Sequence, residues 1–191
     1  MAKRSLQPKI SLSPFPTPTV MVTCRDHAGE VNIITLGWVG VVNSEPPMIG
    51  IAVRPSRFSH RMIKESREFA VNVPSEKLLK VTDFCGVVSG KDVDKFESTG
   101  LSAVPAEKIR APLIQECLVN LECVVRKILS LGSHDLFIAE VVVFHVEKTV
   151  LKNGQSIRIE NVLPFTYCHG ARQYWNLGRS IGAYGFTRGR L

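Results

Sequence analysis

The sequence has no Cys-x-x-Cys pair. Its five cysteines, Cys24, Cys85, Cys117, Cys123 and Cys168, are odd in number and widely spaced. That argues against a disulfide framework, a zinc finger and a thioredoxin-type redox centre. Such thiols read as buried apolar fillers, and a reducing cytoplasm is the expected location. No apolar run reaches the roughly 18 residues that a membrane-spanning helix needs, so no membrane span is expected. The basic start MAKRSLQPK lacks a following apolar stretch, so no secretory signal is expected. Two nucleotide signatures are also missing: G-x-x-x-x-G-K-[S/T] and a G-x-G-x-x-G opening a helix; G-x-S-x-G occurs once, as GRSIG (178–182), in a tail without the strand-then-helix pattern that a nucleophile elbow needs. His27, His60, His134, His145 and His169 show no ligand spacing, so no metal site is expected. Aromatic residues make up only 7% of the chain. They interleave with basic residues only in RQYWNLGR (172–179), outside the strand-rich part, so no nucleic-acid surface is expected.

What is present describes one well-buried domain. The chain has 191 residues, 45% apolar and 21% charged, close to ordinary globular usage. Residues 1–191 read as a single domain, with a lead-in at 1–13 and a C-terminal extension at 164–191. The formal net charge of +7 favours anionic partners. The segment 11–19 has three prolines and reads as extended. Strands are expected at 19–26 and 31–38, joined by a Gly-containing turn, and again at 48–53 after the loop 43–47. A helix is expected from Ser56 as N-cap, with Phe58, Met62 and Ile63 on one face. A strand at 68–73, a helix at 76–87 with Leu78, Thr82 and Cys85 on one side, and an irregular stretch at 89–100 follow. The second half is mostly β. Residues 113–128 alternate, with Cys117, Val119, Leu121, Cys123 and Val125 on one face and Asn120, Glu122 and Arg126 on the other. Residues 135–148 read as a strand buried on both faces. The tail from 164 has no clear period. Many strands with few helices predict a closed or nearly closed β-barrel with helices outside it.

The stretch AVRPSRFSH (52–60) follows an apolar strand. A helix start offers free N–H groups and a partial positive charge. Ser56 and Ser59 add hydroxyls, and Arg54 and Arg57 add full charges. Together they suit one phosphate group, while a plain helix cap with exposed arginines explains the same residues. In NIITLGW (32–38), Gly37 allows a planar ligand to approach the backbone, and Thr35 can bond its edge; a strand end with a core tryptophan is the alternative. Lys91 and Lys95 in SGKDVDKF belong either to a solvated loop or to one closing on an anion.

The order of these stretches resembles one family. PTPTVMVT, NIITLGW, NSEPPMIGIAV, SRFSH, EFAVNVP, SGKDVDKF, LEC and GSHDLFIAEV follow one another, and the tail LPFTYCHGARQYWNLGRSIG fits too. The set is similar to the flavin reductase-like FMN-binding split-barrel family, close to its flavoredoxin branch. The resemblance implies a mainly β fold: a six-stranded antiparallel Greek-key barrel with a few peripheral helices, usually a homodimer. It implies an FMN-dependent oxidoreductase with NAD(P)H or a redox protein as donor. In that picture Thr35, Leu36, Gly37 and Trp38 lie along the flavin ring. Val53, Arg54 and Pro55 follow the ribityl chain, and Ser56, Arg57, Ser59 and His60 hold the phosphate. Ser89, Gly90, Lys91 and Lys95 border the groove. His134 takes the catalytic position on the nicotinamide side, with Ser133 where the family has Asp and Ala139 where Gly is usual. Tyr167 and Tyr174 stand near the flavin or the subunit interface. Flavin carries two electrons itself, so no side-chain triad is required.

Overall fold

The protein's computed structural model describes residues 4–9 and 13–188. In chain order come β1 (Pro16–Pro18), β2 (Val20–Arg25), β3 (Val31–Leu36), β4 (Val39–Asn43) and β5 (Met48–Val53). Helix α1 (Phe58–Ser66), β6 (Glu68–Val73), α2 (Leu79–Val87) and α3 (Lys95–Thr99) follow. Then come the short pair β7 (Ala103–Val104) and β8 (Leu113–Ile114), and the long hairpin β9 (Val119–Ser130) and β10 (Asp135–Val146). The chain ends with β11 (Leu151–Lys152), β12 (Ser156–Ile157), α4 (Ile159–Val162), β13 (Phe165–Cys168) and β14 (Gln173–Asn176).

The main sheet is antiparallel throughout, in the order β3-β2-β6-β9-β10-β5-β4. Its two outer strands, β3 and β4, are consecutive in the chain and separated only by Gly37 and Trp38. The N–H of Ala52 donates to the carbonyl of Trp38 at 2.9 Å, which carries the pairing across that break. Counted as one bent strand, β3–β4 makes a six-stranded barrel. Strand β5 does not pair with the next strand, β6; α1 carries the chain from one to the other, giving the Greek-key crossing.

The barrel interior holds Val22, Ile34, Ile51, Val53, Phe69, Val71, Cys123, Val125 and Phe137, with Met62 and Ile63 of α1 packed among them. Each fully buried side chain of this size contributes about 1.5–3 kcal/mol of transfer free energy. Alternation on β2 puts Val20, Val22 and Cys24 inside, while Met21 faces outward onto Ile33 and Cys85 of α2. Strand β2 is therefore covered on both faces.

Several sequence expectations need correction. The strand expected at 31–38 ends at Leu36, and 39–43 is a further strand that runs into the first residue of the loop expected at 43–47. Gly37 sits where a Cβ would meet Thr17 Oγ1 at 3.0 Å, so the chain bends against β1 there. The N-cap of α1 is Arg57, in extended conformation without a side-chain cap bond, not Ser56. The stretch 89–100 contains α3, capped by Asp94, whose side chain accepts from the N–H of Glu97. Strand β9 starts at Val119, so Cys117 lies outside it. Asn120 and Glu122 are buried rather than outward, because 103–114 folds over that face of the barrel. Asn120 Nδ2 donates to Asn72 Oδ1 (2.8 Å), and Glu122 accepts from the N–H groups of Glu107 and Lys108, each at 2.7 Å. The far half of β10 is only partly buried. The first part of the tail is regular: β13 and β14 form a hairpin, and β1 of the proline-rich lead-in pairs with β13, while 177–188 holds no helix or strand.

Candidate functional site

A cavity of about 750 Å³ opens where the β3–β4 bend, the end of β5, α2 and the tail hairpin meet. That is within the size range of cofactor pockets. Thr35, Leu36, Gly37, Trp38, Val53, Arg54, Arg57, His134, Tyr167 and Tyr174 all line it, so ten of the residues singled out from sequence converge on one site. Thr35 is held by a hydrogen bond from its hydroxyl to the carbonyl of Thr82 on α2. Gly86 of α2 packs on it: a Cβ there would lie 3.2 Å from Thr35 Cβ. A glycine inside a helical pattern is a signal of such close packing.

One end of the cavity is basic. Arg54 and Arg57 are exposed, and neither forms an ion pair or side-chain hydrogen bond among the described residues. Beside them is the N-terminus of α1, with free N–H groups and no acidic residue in its first turn. His134 stands at this end. Burial and the charges of Arg54 and Arg57 hold it below the ordinary histidine range, so its ring is neutral at pH 7. Ser133 Oγ lies 2.9 Å from His134 Nδ1, and the His134 ring leans on Trp38 with centroids 4.3 Å apart.

The other end is aromatic and comes from the tail. Trp38 Nε1 donates to His169 Nε2 at 2.8 Å. Tyr167 packs edge-on against His169 at 4.9 Å and lies 5.1 Å from Tyr174. The Tyr174 hydroxyl donates to Asp83 at 2.8 Å; burial and that carboxylate push its pKa up.

The other residues singled out from sequence lie elsewhere. Pro55, Ser56 and Ser89 do not line the cavity; Pro55 and Ser56 are exposed beside its basic end. Gly90 and Lys91 line a separate groove of about 490 Å³ with Glu30, Asp92 and Asp94. Ser59, His60 and Lys95 are buried behind the cavity wall. Ser59 Oγ accepts from Asn32 Nδ2 at 2.7 Å, and a Cβ on Gly90 would fall 2.2 Å from Asn32 Oδ1. Asn32 thus joins the 89–91 loop to α1. His60 Nε2 pairs with Asp135 at 2.9 Å, tying α1 to β10. Lys95 Nζ donates to the carbonyls of Ile33 and Cys85 at 2.7 Å each, bracing β3 against the C-terminal end of α2, and burial lowers its pKa. Sequence reasoning missed Asp83, Gly86 and Val87 of α2, and His169 and Arg172 of the tail. No cluster of metal ligands occurs among the described residues, and no helix there is long and apolar enough to cross a membrane.

The profile of the flavin reductase-like domain matches residues 12–176. The flavoredoxin of Desulfovibrio vulgaris (Miyazaki F) superposes with a TM-score of 0.90 at 29% identity, over 99% of this chain and 100% of that one. The flavoredoxin of Methanosarcina acetivorans gives a TM-score of 0.88 at 32% identity, over 97% of each chain. The NADPH-flavin oxidoreductase of Streptomyces viridifaciens is 32% identical over 130 residues, 66% of this chain and 65% of that one. The chain belongs to the flavin reductase-like family, on the flavoredoxin side of it. It is a flavin-dependent oxidoreductase.

Proposed function

We propose that the flavin is FMN, held in this cavity, and that a nicotinamide dinucleotide supplies its electrons. The observation that carries the reading is the pair of unpartnered guanidinium groups, Arg54 and Arg57, at the start of α1. Two fixed positive charges and free N–H groups match a terminal phosphate dianion, which FMN has and riboflavin lacks. The rest of the lining fits a flat ring. Thr35, Leu36, Gly37 and Trp38 form one wall, with the bend at Gly37 bringing backbone close, and Tyr167 and Tyr174 form another. When bound, flavin accepts two electrons as hydride and releases them to an acceptor.

The chain's residues bind and position. Arg54 and Arg57 hold the phosphate, with Ser56 at the exposed rim. Val53 and Pro55 flank the linking chain. Ser59, His60 and Lys95 act from behind the wall: Ser59 and His60 fix α1, and Lys95 fixes the separation of β3 from α2. Gly90 packs on Asn32 and so supports α1 from behind, while Ser89 and Lys91 stand away from the site. Neutral His134 sits where it can orient a nicotinamide. The name of the Streptomyces viridifaciens relative supports such a donor. We further propose a cytoplasmic homodimer: the cysteines are unpaired, and β4 exposes Val41 and Val42 as an apolar strand face.

Purified protein should carry or take up a yellow chromophore that is bleached by NADH or NADPH without air. A flavin spectrum that neither nucleotide bleaches would exclude the nicotinamide donor and leave a redox protein.

A further inference from the structure

The threonine hydroxyls around the barrel bond to carbonyls. Thr17 Oγ1 donates to Tyr167, Thr23 to Pro112, Thr35 to Thr82 and Thr82 to Leu78. Thr19 is the exception. It is 3% exposed, and its Oγ1 is the one buried side-chain nitrogen or oxygen among the described residues without a hydrogen-bond partner. Solvent reaches less than 1 Å² of that oxygen, so bulk water does not satisfy it. Such an orphan destabilises the fold that holds it and calls for an explanation.

Its position supplies one. Thr19 lines the cavity. It joins β1 to β2, and its N–H donates to the Phe165 carbonyl of β13 at 3.4 Å. Val20 pairs with Leu36 in an antiparallel register, so Thr19 runs alongside Gly37 at the bend. The orphan therefore stands beside the wall formed by Thr35, Leu36, Gly37 and Trp38. A turn of roughly 120° about Cα–Cβ exchanges the hydroxyl and the methyl between staggered positions. The side chain can thus present its hydroxyl to the cavity while the backbone stays fixed.

We propose that Thr19 is a specificity residue for the flavin ring, its hydroxyl donating to a carbonyl of the ring's pyrimidine half. This rests on the placement of the flavin along the Thr35–Trp38 wall. The ring has one polar edge, with two carbonyls and an N–H, and one methylated edge that has nothing to bond. A hydroxyl can donate to the first and is left unpaired by the second. Thr19 thereby fixes which way round the ring lies in the cavity.

The test is Thr19→Val, which keeps the shape and removes the hydroxyl, beside Thr19→Ser, which keeps the hydroxyl. Flavin-free Thr19→Val should be at least as stable to urea as the natural protein, because the orphan is gone. Its FMN affinity should nevertheless fall about tenfold, since a buried flavin carbonyl then lacks its donor. The carbonyl stretch of bound FMN, read in infrared difference spectra, should move to higher frequency. Thr19→Ser should bind FMN within about threefold of the natural protein and keep the natural stretch. A lower urea midpoint in flavin-free Thr19→Val would reveal a partner inside the fold and overturn the proposal. Unchanged FMN affinity or unmoved carbonyl bands in Thr19→Val would overturn it as well. A natural protein that takes up no FMN would instead sink the flavin placement, and the role of Thr19 with it; equal FMN binding by the natural protein and Thr19→Val sinks Thr19 alone.

Discussion

On the proposed reading, the phosphate end of the site turns on Arg57. It sits at the N-cap position of α1 with an extended backbone and no side-chain partner of its own. Arg57→Ala removes one charge-assisted phosphate contact, worth about 1.5–3 kcal/mol, so FMN affinity should fall about tenfold or more in a fluorescence titration. Unchanged affinity would place the phosphate elsewhere. The same substitution removes a positive neighbour of His134. Its pKa, held down by burial and by Arg54 and Arg57, should rise in Arg57→Ala when followed by NMR. Trp38→Ala should alter the bound flavin spectrum, because it removes a ring wall; an unaltered spectrum would count against that wall. At this scale much was legible. Arg54, Arg57, Thr35, Gly37 and Trp38 lie at a strand end or helix start, where short-range chemistry declares itself. His169 and Arg172 were not legible, because only the long-range pairing of β13 with β1 and β14 brings them to the cavity. Ser59 and Lys95 look like surface phosphate ligands in sequence, yet burial and bonding to Asn32, Ile33 and Cys85 put them behind the wall.

Among the elements, two buried carboxylates fasten the barrel. Asp135 on β10 accepts from Ser130 and His60 and thereby holds α1. Glu122 on β9 accepts from the N–H groups of Glu107 and Lys108 and from His145, and thereby holds the 103–114 segment down. Hydrogen bonds from Ser130 and His60 hold Asp135 below its ordinary range. For Glu122, burial pushes the pKa up, but the Glu107 N–H, His145 and the Lys108 N–H outweigh it and hold the group down. A carboxylate with a depressed folded pKa binds fewer protons folded than unfolded. Its stabilisation is full above the ordinary carboxylate pKa of about 4 and is lost as pH falls through the folded value. Urea midpoints should therefore drop between pH 7 and pH 3. Glu122→Gln should cost about 1–3 kcal/mol at pH 7, by leaving buried donors poorly matched, and should flatten that pH dependence. A slope as steep as in the natural protein would show that Glu122 is not its source. Most strands were legible from alternation and β-branched content. The exceptions have two causes: on β9, polar Asn120 and Glu122 are buried by a covering segment that periodicity cannot see, and on β4 no buried face exists to generate a pattern.

For the whole molecule, barrel closure and site formation are one event. The bend at Gly37 and Trp38 joins the two outer strands of the sheet and at the same time makes the wall on which a flat ring can lie. The cavity then runs from a cationic helix start to an aromatic tail hairpin, with the barrel core beneath it. Among the charges behind the net +7, those of Arg54 and Arg57 line one cavity and have no ion-pair partner among the described residues. The most direct measurement is a parallel titration of flavin-free protein with FMN and with riboflavin. The two ligands share the ring and differ in the phosphate. The account predicts that FMN binds at least about tenfold tighter, and that the difference shrinks in Arg57→Ala. Equal affinity for FMN and riboflavin would contradict it.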